Sequence, residues 1–158
     1  MAKFKGIMVP ITTPYDNEGN ILWNEFERHT ELVLQAGAHS ILVPSGTGEF
    51  ANLPMDTRVE LTAHAAKVIN GRVPLVAMIS DCSTANVLEL ARRSKEAGAT
   101  EAMLTPPYFS HCNARAIKAF FLEVADKIDL PLWIYHQPGE TKLTVEIDDL
   151  VELAKHPN

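Results

Sequence analysis

The sequence has no long hydrophobic run. Its longest apolar stretches, such as Ile41–Pro44 and Val73–Ile79, are far shorter than the roughly 20 residues needed to cross a bilayer. The basic residues near the start are not followed by an apolar segment of signal-peptide length before Pro10. We therefore expect a protein of the cytoplasm, or of an organelle whose targeting peptide is absent, with no membrane partner.

Cysteine is scarce, and the usual metal-binding patterns are missing. Cys82 and Cys112 are the only two cysteines, and nothing in their spacing forces them to pair, so we expect two reduced thiols that are buried or semi-buried. The sequence contains no Cys-x-x-Cys and no His-Glu-x-x-His, and the pair His111-Cys112 alone is too little for a zinc site. The sequence therefore predicts no metal and no cofactor.

An excess of basic charge is also absent. The formal net charge is −6 and the sequence pI is near 5.5, which argues against a basic face that follows phosphates. Nucleic acid is therefore not an expected partner. With 46% hydrophobic and 22% charged residues among 158, the composition fits one soluble globular unit with a real core.

Short apolar runs of β type alternate with amphipathic helical segments. Apolar residues recur at three- and four-residue spacings in the helical segments, and glycines follow three of them, as is usual at helix ends: Gly37, Gly71 and Gly98. The predicted strands are Ile7–Ile11, Ser40–Pro44, Leu75–Ile79, Ala102–Thr105 and Leu132–Tyr135. The predicted helices are Asn24–Ala36, Met55–Ile69, Ala85–Ala97, Ala114–Ile128 and Val145–Lys155.

Strands separated by single helices predict an α/β fold with parallel pairing. An open doubly wound sheet and an eight-stranded barrel both fit this pattern. The chain has about five strand-helix units, about three fewer than a barrel requires. Pro157 stops the last helix before another strand. We expect residues 1–158 to form a single truncated domain that ends within its architecture.

In either architecture the functional site lies at the carboxyl ends of the strands, so the loops there carry the most weight. After the second strand, Gly46 and Gly48 let backbone N–H groups approach an oxyanion, and Ser45 and Thr47 supply hydroxyls. A turn that only caps the next helix is an equally good interpretation. The loop does not bind nucleotides as a P-loop does, because Gly-x-x-x-x-Gly-Lys-Ser/Thr is missing.

Aromatic residues follow the fourth and fifth strands. Thr105-Pro-Pro-Tyr holds Tyr108 on a stiff turn, where a phenol either relays a proton or only packs. Tyr135 and His136 share the end of the fifth strand. Because successive residues of a strand face opposite sides, at most one of these two points into the site. The histidines on helices and at loop starts are predicted to do no chemistry: His29, His39, His64 and His156.

Four motifs occur in order on successive strand ends. They are Pro-Ile-Thr-Thr-Pro-Tyr-Asp from Pro10 with Gly19 after it, Gly-Thr-Gly-Glu-Phe from Gly46, Thr-Pro-Pro-Tyr-Phe from Thr105, and Ile-Tyr-His-Gln-Pro-Gly from Ile134. Each is weak by itself. Together, spread over nearly the whole chain, they resemble the N-terminal part of the dihydrodipicolinate synthase and N-acetylneuraminate lyase family of class I, Schiff-base aldolases.

This resemblance implies a (β/α)8 TIM barrel, usually a homotetramer, with a lysine after the sixth strand that forms a Schiff base with pyruvate or another 2-oxo acid. The imine acts as an electron sink for aldol cleavage, condensation or loss of water. By the same resemblance, Tyr135 and Tyr108 are catalytic, and Tyr108 is often donated across a subunit interface. Thr47 binds the carboxylate of the 2-oxo acid, in a substrate-binding loop that includes Ser45 and Gly46.

Three positions depart from the family pattern. Gly46 stands where the family commonly has Thr or Ser in a hydroxyl relay between the tyrosines, so that relay is broken unless Ser45 or a water substitutes. The Gly-Thr-Gly-Glu-Phe loop is similar to that of the family's sugar-acid dehydratases. Glu140 stands where lysine-biosynthetic members have an arginine, and its charge would repel a substrate carboxylate. The Schiff-base lysine would lie just beyond Asn158, so we expect this chain alone to be inactive.

Two non-enzymatic interpretations stay open beside the lyase. The first is an inactive half-barrel that associates with itself or with full-length subunits through its open strand edge. The second is an open-sheet domain that binds a small anion through residues 45–49 without catalysis, which ligand-induced stabilisation without a covalent adduct would indicate. The resemblance favours the lyase.

Overall fold

A computed structural model describes residues 5–109 and 111–158. Within these residues, five parallel strands form one sheet whose spatial order follows chain order, β1-β2-β3-β4-β5. The strands are β1 (Met8–Pro10), β2 (Ser40–Val43), β3 (Leu75–Met78), β4 (Glu101–Leu104) and β5 (Leu132–Ile134). The five predicted strands are confirmed, each to within one residue at either end.

Helices connect the strands, as parallel crossovers require. They are α1 (Trp23–Gln35), α2 (Met55–Ile69), α3 (Thr84–Glu96), α4 (Ala114–Lys127), α5 (Pro138–Thr141) and α6 (Ile147–Leu153), with a 3₁₀ turn at Phe50–Asn52. Side-chain caps start two of them, because Ser83 Oγ accepts from the Asn86 N–H at 3.5 Å and Asn113 Oδ1 accepts from the Ala116 N–H at 2.9 Å.

The last predicted helix is the least accurate. It was expected over Val145–Lys155 and is observed over Ile147–Leu153. The reason at its start is local: the Val145 N–H donates to His136 Nε2 at 3.1 Å, which holds Val145 against the preceding segment. None of the described helices is long and apolar enough to cross a membrane.

One face of the sheet packs against the helices and forms the main core. Every second strand residue points to this face, and the helices supply buried apolar side chains against it. The strand residues of this face include Ile41, Val43, Ala77, Ala102 and Leu104. The helix residues include Phe26, Leu61, Leu90, Ile117 and Phe121, each no more than 2% exposed.

Within the described part of the chain, no α-helix contributes to the apolar cluster on the opposite face. Its cluster consists of buried Leu42, Val76, Met78 and Met103, with Met8, Phe50, Trp133 and Tyr135 partly buried beside them. Open doubly wound sheets carry helices on both faces, whereas barrels carry them only outside. Helices on one face and a strand order that follows the chain identify a partial (β/α) barrel, and we call the helix-free side the inner face.

Candidate active site

A cavity of about 570 Å³ opens at the carboxyl ends of β2, β4 and β5. Barrel enzymes keep their active sites at this end of the strands. The lining residues that matter for chemistry are Gly46, Thr47, Thr105, Tyr108, Tyr135 and Glu140. The structure thus brings together four of the five predicted site residues on one cavity, and Ser45 is the exception.

The loop after β2 is fixed by contacts with the segment after β1. Thr13 Oγ1 donates to the carbonyl oxygen of Gly48 at 2.8 Å. A Cβ on Gly48 would lie 2.9 Å from the carbonyl oxygen of Ile11, so only glycine fits there. Glu49 adopts a left-handed φ of 62°, which is strained for a residue other than glycine. This loop is therefore held in one shape rather than being a free turn.

The hydroxyls of this loop face different surroundings. Ser45 is 2% exposed, and its Oγ accepts a hydrogen bond from the Gly48 N–H at 3.4 Å. Thr47 is exposed and lines the cavity. Gly46 also lines the cavity, and a Cβ there would meet nothing within 4 Å. Thr47 is therefore the loop hydroxyl that a ligand in the cavity would meet, whereas Ser45 braces the loop.

Tyr108 is half-buried beside this loop. Its ring lies edge-on to Phe50 with centroids 6.1 Å apart. Burial is the main reason that the pKa of Tyr108 is raised to about 12. The Cys82 thiol and the charge of Asp81 raise it further, and the charge of Arg58 opposes them. The Tyr108 side chain is therefore a protonated phenol at neutral pH and can donate a hydrogen bond to a ligand.

The side chains of Tyr135 and His136 point in different directions at the end of β5, as the alternation of the strand predicts. Tyr135 lines the cavity, and its N–H donates to the Leu104 carbonyl at 2.8 Å. His136 instead accepts a hydrogen bond from the Val145 N–H through Nε2. Only the tyrosine of this pair faces the cavity.

Sequence reasoning gave no role to two buried polar residues near the cavity. Thr105 lines it and is 5% exposed, and its Oγ1 has no hydrogen-bond partner among the described residues. Arg58 is 3% exposed; its Nη2 donates to the Met78 carbonyl at 2.7 Å, and its guanidinium carbon lies 5.3 Å from the Phe50 ring centroid. An arginine on an amphipathic helix is expected at the surface, so its burial left no signal in the sequence.

The remaining histidines are not among the described residues that line the cavity, and Cys82 and Cys112 are free thiols. Cys112 is partly buried, as predicted, whereas Cys82 is exposed, because it lies in the turn before α3. The prediction of burial was therefore wrong for Cys82. Within residues 5–109 and 111–158, no group of three or more His, Cys, Asp or Glu side chains could hold a metal ion. The histidine contacts are Thr12 Oγ1 to His29 at 3.2 Å, the Ile7 N–H to His39 at 3.2 Å, His64 to Glu27 at 2.7 Å, and His156 to Asp126 at 3.0 Å.

The fold and the cavity together define a partial (β/α) barrel with a candidate site at the carboxyl ends of its strands. The model of the dihydrodipicolinate synthetase family matches residues 3–158, and the chain belongs to this family. The resemblance seen in the sequence motifs is thereby confirmed.

Curated relatives agree with this assignment. The chain is 35% identical over 154 residues to 4-hydroxy-tetrahydrodipicolinate synthase of Staphylococcus carnosus, covering 98% of this chain and 52% of the relative. It is 35% identical over 153 residues to the enzyme of the same name from Limosilactobacillus fermentum, covering 96% of this chain and 49% of the relative. The chain therefore spans about half the length of the curated relatives it matches.

Solved structures match the fold over the whole chain. Dihydrodipicolinate synthase DapA-2 from Bacillus anthracis superposes with a TM-score of 0.95 at 27% identity, covering 100% of this chain and 54% of that structure. The chloride-inhibited dihydrodipicolinate synthase from Acinetobacter baumannii complexed with pyruvate gives a TM-score of 0.95 at 30% identity, covering 99% and 54%.

Proposed function

We propose that this chain is the N-terminal part of a lyase that acts on pyruvate or another 2-oxo acid through a lysine Schiff base. The observation that carries the proposal is the meeting of Thr47, Tyr108 and Tyr135 on one cavity at the carboxyl ends of the strands. The pyruvate complex of the Acinetobacter baumannii relative supports the choice of ligand. We further propose that the protein works in the cytoplasm as a homo-oligomer.

Each lining group has a role in this proposal. The Thr47 hydroxyl donates a hydrogen bond to the carboxylate of the 2-oxo acid. The imine then accepts electrons from the bond that breaks beside it, and Tyr135 moves the proton that the substrate gains or loses. Tyr108, a neutral phenol, supports Tyr135 from the turn after β4.

The charge of the cavity restricts the second substrate. Glu49 and Glu140 both line it, and no lysine or arginine is among the described lining residues. A second carboxylate on the substrate would therefore meet like charge beside Glu140. We propose that the partner of the 2-oxo acid is uncharged at this end, such as an aldehyde or the hydroxylated tail of a sugar acid. Aldol chemistry or sugar-acid dehydration fits an uncharged partner better than the activity that the name of the Staphylococcus carnosus relative denotes.

The Schiff-base lysine is proposed to lie outside residues 1–158. The lysines on the later helices are held in ion pairs on the outside: Lys118 with Asp149 and Glu152, Lys127 with Glu123, and Lys155 with Glu152. The ammonium group of Lys142 donates a hydrogen bond to the carbonyl oxygen of Gly139. None of these four lines the cavity, so covalent catalysis needs a lysine from the rest of the barrel.

The first experiment is the intact mass of the protein from its source, with and without pyruvate plus borohydride, which reduces a lysine imine to a stable adduct. A mass above 17.4 kDa together with one pyruvyl adduct is the expected result. Propionate, which lacks the ketone, is the control and should give no adduct. A mass of 17.4 kDa and no adduct would overturn the catalytic proposal for this molecule.

The second candidate function is an inactive half-barrel that associates with itself or with full-length subunits. The sheet favours it, because β1 and β5 are the edge strands among the described residues, and Trp133 and Tyr135 on the inner face are only partly buried. Sedimentation of the 158-residue chain over a range of concentrations tests this. Concentration-dependent dimers without a pyruvyl adduct would favour the half-barrel, and a monomer at all concentrations would exclude self-association.

A further inference from the structure

A second cavity, of about 510 Å³, lies between the start of α2 and the hairpin that joins β1 to α1. The hairpin is closed by an antiparallel bridge between Tyr15 and Ile21. Among the described residues, only Asn52 lines both this cavity and the candidate active site. The second cavity is therefore a neighbour of the candidate active site and not a part of it, and the proposed function gives it no task.

Two aromatic side chains supply the apolar wall of the second cavity. Tyr15 and Trp23 both line it, and both are partly buried. The Trp23 indole is stacked on the His64 ring, with centroids 4.3 Å apart and planes at 19°, and His64 is held in turn by Glu27 at 2.7 Å. The indole is thus fixed from behind, and its remaining surface can accept the C–H face of a ligand.

The polar wall offers mainly hydrogen-bond acceptors. Asn20 Nδ2 donates to Asp16 Oδ2 at 2.9 Å, and Asn52 Nδ2 donates to Glu49 Oε2 at 3.4 Å. Because an ionised carboxylate only accepts hydrogen bonds, the NH₂ group of each amide has to face its carboxylate partner. The amide oxygens of these two lining residues are then left to meet a ligand, and Glu60 adds a carboxylate. A ligand at this wall has to donate hydrogen bonds.

The charges around the second cavity disfavour a ligand of either sign. No lysine or arginine is among the described lining residues, and Glu60 is one of them, so an anion would meet like charge. On the other side, α2 begins after Pro54, which supplies no side-chain cap, and the positive end of the helix dipole borders the cavity at Thr57. A neutral ligand with several hydroxyls fits both sides, because each hydroxyl donates and accepts.

We propose that the second cavity is a reversible binding site for a neutral monosaccharide. The C–H face of the sugar lies on Trp23 and Tyr15. Its hydroxyls donate to the amide oxygens of Asn20 and Asn52 and to Glu60, and they meet the Thr57 hydroxyl at the start of α2. The site is built from described residues of this chain alone and does not depend on a Schiff base.

The first test follows the two tryptophans of the full 158-residue chain. Their indole N–H groups give two signals in ¹H–¹⁵N spectra, which Trp23→Phe assigns. Titration with D-glucose should shift the Trp23 signal to saturation, with a Kd on the order of 1 mM. The Trp133 signal is the internal control, because Trp133 lies on the inner face, and it should not move. No saturable shift of Trp23 with D-glucose, D-galactose or D-xylose would overturn the proposal.

The second test compares sugars of one ring skeleton that differ in charge. We expect D-glucose to bind about tenfold more tightly than the anionic D-glucuronate and the cationic D-glucosamine, just below neutral pH. Glu60→Gln keeps the acceptor and removes the charge, so it should narrow the gap for glucuronate and leave glucose binding nearly unchanged. Tighter binding of either charged sugar than of glucose by the wild type would contradict a neutral ligand.

The third test removes one hydroxyl from the wall. Thr57→Val keeps the shape of the side chain and should weaken glucose binding by about threefold to tenfold. Thr57→Ser, which keeps the hydroxyl, is the matched control and should bind glucose as the wild type does. Equal affinities of the two variants for glucose would reject the contact at the start of α2 and, with it, the proposed site.

The outcomes also separate this inference from the proposed function. Saturating pyruvate should leave the Kd of glucose unchanged, and competition between the two would place the sugar in the candidate active site and overturn the second site. A pyruvyl adduct without a saturable Trp23 shift would reject this inference alone. A saturable Trp23 shift without a pyruvyl adduct would reject the proposed function and leave the sugar site in place.

Discussion

The two faces of the sheet differ in what covers them and in what they carry. On the helix-covered face, side chains such as Leu90, Leu104 and Phe121 are at most 1% exposed. On the inner face, Trp133 and Tyr135 are only partly buried, and polar side chains gather at its carboxyl-end rim. The difference separates two tasks, because the covered face supplies the larger share of the buried apolar side chains that stabilise the fold, and the inner rim carries the groups that the proposed function assigns to the ligand.

The largest expected difference in stability is between the truncation of one large side chain on the covered face and the truncation of one on the inner face. Phe121→Ala should lower the free energy of unfolding by about 3–5 kcal/mol, because a fully buried aromatic leaves a cavity. Met8→Ala, on edge strand β1 and partly buried, should cost less than about 1.5 kcal/mol. Urea unfolding followed by circular dichroism measures both. Equal losses would mean that the inner face contributes to stability as much as the covered face does.

A smaller difference in stability is expected between alanine substitutions at two glycines that follow helices, and it tests how tightly the helices pack. Gly98 has a φ of +106° and a Cβ there would lie 2.7 Å from Ala66 Cβ, whereas Gly37 has a φ of +89° with open space around it. Gly37→Ala should cost about 1–2 kcal/mol from backbone strain alone. Gly98→Ala should cost about 1–3 kcal/mol more, because α2 must also move. Thermal unfolding of the pair decides this, and similar midpoints would show that α2 and α3 are loosely packed.

The next effect concerns an ion pair between α1 and α2. Hydrogen bonds from His64 and Lys67 lower the pKa of Glu27, so the folded state favours its carboxylate. That contribution is full above the ordinary Glu pKa of about 4.3 and disappears as pH falls through the lowered value. Glu27→Gln should therefore cost about 0.5–1 kcal/mol at pH 7 and almost nothing near pH 3.

Glu25 is the matched control for Glu27. It pairs with Arg28 on the same helix, and both side chains are about half exposed or more. Glu25→Gln should change stability by less than about 0.5 kcal/mol at either pH. Urea titrations at pH 7 and pH 3 test the two variants together. An equal effect of both substitutions at pH 7 would show that the contact between α1 and α2 gives Glu27 no advantage.

The smallest expected effect is a change in the pKa of Tyr108 at the inner rim. The charge of Asp81 helps to raise the pKa of Tyr108, and the charge of Arg58 opposes it. Asp81→Asn should therefore lower this pKa. Its amide oxygen can still accept the bonds that Asp81 accepts from the Ser83 N–H and from Asn86. Absorbance at 295 nm during alkaline titration, with Tyr108→Phe as the reference, measures the shift, and a rise in the pKa would contradict this account.

Most of the fold could be predicted from the sequence, because strand and helix have different periods. The α2 prediction, Met55–Ile69, matches the structure at both ends, and glycines after helices marked their ends. Periodicity alone could not decide between barrel and open sheet, since an amphipathic helix shows that it packs on a sheet but not on which face. The resemblance of the strand-end motifs implied the barrel, and the helix-free face confirms it. The short helix Pro138–Thr141 was also missed, because four residues are too few to show a helical period.

The sequence was enough to predict site residues whose type has few uses at a strand end. It was not enough where the role of a residue depends on whether its side chain is buried. Tyr108, Tyr135 and Thr47 stood at strand ends, and the structure places all three on one cavity. Ser45 looked equivalent to Thr47, yet it lies under the loop, because the side-chain direction within a glycine loop depends on dihedral angles that the sequence does not specify. Thr105 was visible only as part of a motif, since an unpaired hydroxyl is a property of its surroundings.

The strand order has a consequence for how the protein folds. Each described strand pairs only with the strand one helix earlier or later in the chain. Contacts between these strands stay at moderate separation along the sequence, which favours faster assembly than pairing of more distant strands would. As a ribosome releases the chain from its N-terminus, every new strand finds its neighbour already synthesised and can add to the growing edge. The five described strands are therefore suited to assemble one strand-helix unit at a time during translation, whereas closure of the proposed barrel at β1 has to wait for its last strand.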